Sequence, residues 1–440
     1  MTSLLNKNND KLTYNIMSIL INISYLDNGE KLFYLDESIC CNIASFLGNN
    51  RNEKDLLNYG IILLKNIFFD KNVCDIFTKY KITEFFEEIY EKYLLDKEFM
   101  ENLMTIISHI ILHQYNEFCK TSKANLSVVL PLIKIIATQI RINYEASLLY
   151  KYIYRLYQLC CFQKSDIFYE IVNCKLHKEF MCIYPAIEEK VELLKQNLKE
   201  ILSSSKGEII NKEQITKIQK DLDYYEYILL VILKILGKLM CLDDNIITQT
   251  LLNSGISSFL TKTLQSHDLR VIKNVCFCMC NICSGTYGQT SYLFNDNTLY
   301  ELIKISKNIL DAIELRQEID DYYSQLIDAF KEINLVFSLT IYNSLSERIV
   351  PFCQCENYTV IIVLVKGLKY LLGKNNEDVI NTIFEAINKI IMFKTDFVKN
   401  ILFIMEKYGL KENLENIIIT GNLSVSKTAD EIHESLFGLI

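Results

Sequence analysis

The 440-residue chain carries 46 Lys and Arg against 54 Asp and Glu, a formal net charge of −8, and half its residues are hydrophobic, with 13 Gly, 3 Pro and no Trp. This much apolar surface excludes disorder for the bulk of the chain, and so few turn formers exclude a β-sandwich. The acidic balance argues against nucleic acid as a direct partner and suits a basic one. A single core stops growing at roughly 250–300 residues, so the chain is several domains or a stacked array. Met1 to Asp10 is polar and predicts no cleavable leader. No uninterrupted apolar run approaches the roughly 18 residues that predict membrane insertion. The fifteen cysteines, an odd number, are expected as reduced thiols.

Long stretches rich in Leu, Ile, Lys, Glu and Tyr predict an all-α chain, and a motif recurs along it. Asn22 lies in Ile19–Ile23, Asn66 in Leu63–Ile67 and His109 in Ile106–Ile110, at steps of 44 and 43 residues. Tyr157 follows 48 residues on. The stretch 185–225 breaks the rhythm and is expected to be a helical insertion or elongated hairpin with its tip at Ser203–Gly207. Beyond it the unit is clearest. The helix Leu229–Met240 breaks at Asp243-Asp244, and two shorter helices follow over Ile246–Gly255 and Ser258–Leu264. Val271–Ile282 begins the next copy, with Lys238 and Asn281 in the same phase, 43 residues apart. Tyr370, 89 residues past Asn281, would sit two repeats on. A period near 43 fits the roughly 40–47-residue unit of armadillo and HEAT solenoids, in which each unit buries its apolar face only against its neighbours. The expected architecture is one solenoid over 1–440, with N-terminal repeats over 1–184, the insertion over 185–225 and C-terminal repeats over 226–440.

Several segments carry a family likeness. Lys273–Gly285, with Phe277 and Asn281, is similar to the repeat motif Lys-Glu-Ala-x-Trp-x-x-Ser-Asn-Ile-x-x-Gly of the importin-α family, the adaptors that carry basic nuclear-localisation signals. Leu103–Ile110 with Val129–Lys134 resembles its third repeat. Val360–Leu372, Met405–Glu415 and Ser426–Phe437 resemble its closing repeats and terminal helix. The resemblance implies a right-handed armadillo superhelix whose concave face binds extended basic peptides. Asn22, Asn66 and Asn281 would bond the peptide backbone, Tyr157 would hold the equivalent place in its repeat, and Phe277 would stand for a Trp that flanks lysine stems. Asp70 would meet a key lysine, and Gly285 would let the peptide approach. It also implies shuttling between cytoplasm and nucleus, and an export factor at the C-terminal repeats. Met1–Leu12 does not match the family's Arg- and Lys-rich importin-β-binding segment, so importin-β would need a non-standard route.

Each of these residues has a plainer reading. The asparagines could be capping or solvated, Asp70 could begin a helix in Phe69-Asp-Lys-Asn, and Phe277 could be core. Lys238 would repel a basic peptide. The alternative function is therefore an armadillo interaction scaffold that has lost signal binding. His109 and His113 have a metal-compatible spacing but no third ligand, and Cys276, Cys278 and Cys280 splay around a helix, so no metal site is expected. Cys353 and Cys355 lack further ligands too. No phosphate-binding loop, dinucleotide fingerprint or nucleophile elbow occurs, so neither a cofactor nor an enzyme is expected.

Overall fold

A computed structural model describes residues 5, 10–25, 37–123, 125–143, 145–204, 212–241, 245–316, 320–373, 376–393 and 396–437. Among them are twenty-two helices and no strand. The chain forms two compact units, Met1–Glu179 with Val191–Ile228, and Phe180–Lys190 with Leu229–Ile440.

Helix starts follow from local chemistry. Asp96 Oδ1 accepts the Phe99 amide at 3.0 Å, and Asp320 Oδ1 accepts the Tyr323 amide at 2.6 Å. Thr286 and Gln289 form a reciprocal capping box at the head of the Tyr287–Asn295 helix. Among the described residues, several repeats bend sharply between their first and second helices at a residue of positive φ. The corner residues are Lys81 (55°), Lys175 (56°), Gly255 (90°), Asn297 (60°) and Gly409 (93°). Such a left-handed residue reverses the chain within one or two positions.

In the first unit the third helices stack in order: Asp10–Ser24 on Lys54–Ile67, then Lys97–Thr121, then Ala146–Cys160. A second layer runs from Ile82–Tyr90 to Leu126–Ile142 and on to Ser165–Asn173. The core between the layers is Ile, Leu and Phe, with Leu57, Phe77, Leu103, Ile133 and Phe168 wholly buried. The second unit repeats the plan. Leu269–Cys283 packs on Asp321–Asn343, then Glu377–Ile391, then Leu423–Phe437, while Ile256–Thr263, Thr298–Leu315, Ser346–Tyr370 and Leu410–Thr420 build the second layer.

Ser346–Tyr370 is long and apolar enough on paper to cross a membrane, but half of that stretch is buried in the protein. Glu356, Asn357 and Tyr358 all have positive φ, so it is two short helices around the usual corner. The expectation for Tyr370 changes accordingly. It ends a second helix, with its ring edge-on to Phe330 at 6.4 Å, and does not share the phase of Asn281. The Thr298–Leu315 and Asp321–Asn343 helices are 18 and 23 residues long, so this repeat is longer than 43 and an even count drifts out of register.

The stretch expected as a hairpin is carried by Leu176–Ser204 and Lys212–Leu239, of 29 and 28 residues, and Lys195 pairs with Glu226 at 3.1 Å between them. Of the expected tip, Ser205–Gly207 lie outside the described residues, as do Asp243 and Asp244.

Candidate functional site

The residues singled out by sequence sit on or beside third helices, and most are already engaged. In the first unit, Asn22 is exposed in the last turn of Asp10–Ser24. Asn66 is half-buried one repeat on, and its Nδ2 donates to Ser24 Oγ at 2.9 Å, which in turn donates to the Ile21 carbonyl at 2.6 Å. The amide thus ties its helix to the end of the preceding one. Asp70 caps the Lys71–Lys79 helix, with Oδ1 accepting the Asn72 and Val73 amides at 2.8 and 3.0 Å. Tyr157 is half-buried against Tyr154, ring centroids 6.2 Å apart, and burial above all pushes its phenol up to about 12.

The second unit brings Phe277, Asn281 and Gly285 together. The Phe277 ring lies so close over Gly237 that a Cβ there would stand 2.5 Å from it. Asn281 Nδ2 donates to the Gly237 carbonyl at 3.0 Å. Gly285 leaves room for the Gln289 side chain, whose Oε1 accepts the Thr286 amide; a Cβ on residue 285 would fall 1.9 Å from that oxygen. Asn281, Gly285 and Gln289 help line a polar cavity of about 340 Å³ together with Cys241, Asn245 and Thr248.

A regular device emerges that the sequence reading took only in part. A helix leaves its last carbonyls without intrahelical partners. Here a side chain near the end of one third helix reaches back to the carbonyls ending the previous one. Asn281 does so to Gly237, Asn343 to the Cys283 carbonyl at 2.8 Å, and Lys389 to the carbonyls of Tyr342 and Ser344, the latter at 2.9 Å. In the first unit His113 Nε2 meets the Phe68 carbonyl at 3.3 Å. Asn343 and Lys389 were missed, and His113 was weighed only for a metal, because three residue types fill one role.

The charge on the first unit's third helices was missed as well. Lys65, His109, Lys151 and Arg155 lie on three consecutive third helices. Lys65 donates to Asn102 Oδ1 at 2.8 Å and Arg155 Nη1 to Gln158 Oε1 at 2.6 Å. Burial, then Arg155 and Lys65, push the Lys151 ammonium down, with Glu101 opposing. Burial, then His113, Arg155 and Lys151, lower His109. Tyrosines flank the cluster: Tyr150 meets Tyr154, Tyr224 and Tyr227 at centroid distances of 5.7, 5.5 and 6.2 Å.

No protein-family model matches the chain, and no curated protein matches its sequence. Solved structures do match. A chain solved in a study of the phosphorylation switch between cadherin and beta-catenin aligns with 97% of this chain and 66% of its own length, at TM-score 0.62 and 11% identity. An engineered protein of the Northeast Structural Genomics Consortium aligns over 99% of this chain and 97% of itself, at TM-score 0.55 and 12% identity. The fold is an armadillo-repeat solenoid. A designed armadillo-repeat protein crystallised with the peptide (KR)4 aligns over 69% of this chain and 99% of its own, at 16% identity and TM-score 0.46.

Among the described residues no group of three or more His, Cys, Asp and Glu could hold a metal ion. Burial raises the thiols of Cys276, Cys278 and Cys280, and Cys278 Sγ donates to the Leu233 carbonyl at 3.4 Å. These thiols pack the third-helix layer.

Proposed function

We propose that this chain is a non-catalytic armadillo scaffold that holds an extended segment of a partner protein along its third helices. One observation carries the reading: third-helix side chains are divided between two tasks. Asn66, Asn281, Asn343 and Lys389 reach back to the preceding helix, while Asn22, Tyr154 and the cationic cluster are left facing outward or half-exposed. A surface of this kind offers polar groups to a peptide backbone and aromatic faces to its side chains.

The import-adaptor reading is the finer alternative. It is favoured by exposed Asn22 and by Asp70, which commits only Oδ1 to its helix cap. It would add basic nuclear-localisation peptides as cargo, shuttling between cytoplasm and nucleus, importin-β by an unusual route and an export factor at the closing repeats. Lys65, Lys151, Arg155 and Lys238 oppose basic cargo on the same helices.

Fluorescence anisotropy with equal-length extended peptides of acidic, neutral and basic composition tests both readings. The scaffold reading expects saturable binding of at least one class and competition between any classes that bind. Binding weaker than about 1 mM by every class would overturn it. Basic-peptide binding lost in Asn66→Ala and Asp70→Asn would select the adaptor.

A further inference from the structure

We infer that the third-helix face of the first unit takes an acidic segment of a partner protein, its carboxylates seated among Lys65, His109, Lys151 and Arg155. The inference rests on the third helices being the binding face, and it names the partner's chemistry there. Lys65, Lys151 and Arg155 make no ion pair among the described residues, although Lys151 and Arg155 are half-buried. The guanidinium is aimed by Gln158 through Nη1, and its Nε is buried with no hydrogen-bond partner in the described structure. A guanidinium held in place on one side and left without a counterion suits a charge-assisted bond to a carboxylate.

The cluster is also costly as it stands. Removing cations from water without a counterion is unfavourable, and grouping like charges adds to that. Both effects lower Lys151 and His109, and burial lowers Arg155. Against this, Glu101 favours the charged form of Lys151. An anionic ligand would relieve the repulsion, whereas a basic one would add to it.

The surroundings favour a peptide. Tyr150, Tyr154 and Tyr157 form an aromatic shelf beside the cations, with Tyr154 37% exposed, which suits apolar residues flanking the acids. The cations are confined to three neighbouring helices in a chain of net charge −8, too few for the run of phosphate contacts that nucleic-acid binding draws on.

The test is anisotropy with an extended peptide alternating Asp or Glu with Phe or Leu, and with a phosphoserine version, on the full chain. The variant is Lys151→Gln with Arg155→Gln. Lys262→Gln with Lys307→Gln, exposed cations of the second unit, controls for net charge. The cluster variant removes repulsion and is expected to fold, checked by circular dichroism and a melt no lower than wild type. The inference expects saturable binding to wild type, weakened roughly tenfold or more by the cluster variant and little changed by the control. The phosphoserine arm tells whether phosphate substitutes for carboxylate. Equal binding to wild type and cluster variant would overturn the inference. So would a single-stranded oligonucleotide that displaces the peptide and shows the same sensitivity to the variant. Binding of neutral or basic peptides alone would overturn it while leaving the scaffold reading standing.

Discussion

At Asp70 one carboxylate has a structural duty that any functional experiment must separate from a binding one. Its Oδ1 accepts two backbone amides, so Asp70→Ala is expected to cost about 0.5–2 kcal/mol of local stability, whereas Asp70→Asn keeps the cap and removes the charge. Hydrogen exchange at the Asn72 and Val73 amides checks this: faster in the alanine variant, near wild type in the asparagine variant. Asp70 was legible as a cap from Phe69-Asp-Lys-Asn alone. Gly285 was legible only as a glycine, because its reason is the Gln289 side chain folded beneath it. The histidines carry a pH dependence. His177 is 2% exposed and His109 half-buried, and burial, the main cause for each, lowers both from the usual value of about 6.5. The unfolded chain therefore takes up these protons first as pH falls. Their contribution to stability is complete above pH ~6.5 and declines as pH drops below it. Thermal melts are expected to fall from pH 7 to pH 5 and to fall less in His177→Gln, once normalised to the variant's own value at pH 7.

Between elements, the stacked third helices are joined by side chains that close off carbonyl ends. Removing one takes away a hydrogen bond between helices, so Asn281→Ala and Asn343→Ala are each expected to cost about 0.5–1.5 kcal/mol, read as a lower denaturation midpoint. If instead Asn281→Ala is neutral for stability and weakens peptide binding, its principal role is the ligand. Close helix approach gives a second prediction. A Cβ on Gly367 would meet Asn334 Oδ1 at 2.3 Å, and Asn334 is wholly buried, so Gly367→Ala is expected to destabilise by about 1–3 kcal/mol. The same measurement on Gly48→Ala, where nothing lies within 4 Å, should be neutral or slightly stabilising because it sits in a helix. The repeat was readable around Leu229–Ile305 because Gly255 marks its corner and apolar helices flank it. Elsewhere Gly409 marks one more corner, but Lys81, Lys175 and the run from Glu356 to Tyr358 make theirs without a glycine. That is why the count of 43 held locally and failed at Tyr370.

Across the whole chain, what the sequence revealed was the pattern of burial: a solenoid needs apolar helices at a steady spacing, and substitutions that keep burial keep the fold. The match to a fold at 11% identity follows from that tolerance. The surface has no such constraint. The cluster of Lys65, His109, Lys151 and Arg155 comes from three repeats, and no local motif announces it; only stacking the helices brings it into view. The measurement that bears most directly on the account is amide hydrogen exchange with and without the tightest peptide from the charge series. The account predicts slowed exchange concentrated in third helices, in Lys97–Thr121 and Ala146–Cys160 if the peptide is acidic. Slowing confined to first and second helices, with the third helices unchanged at saturating peptide, would contradict it.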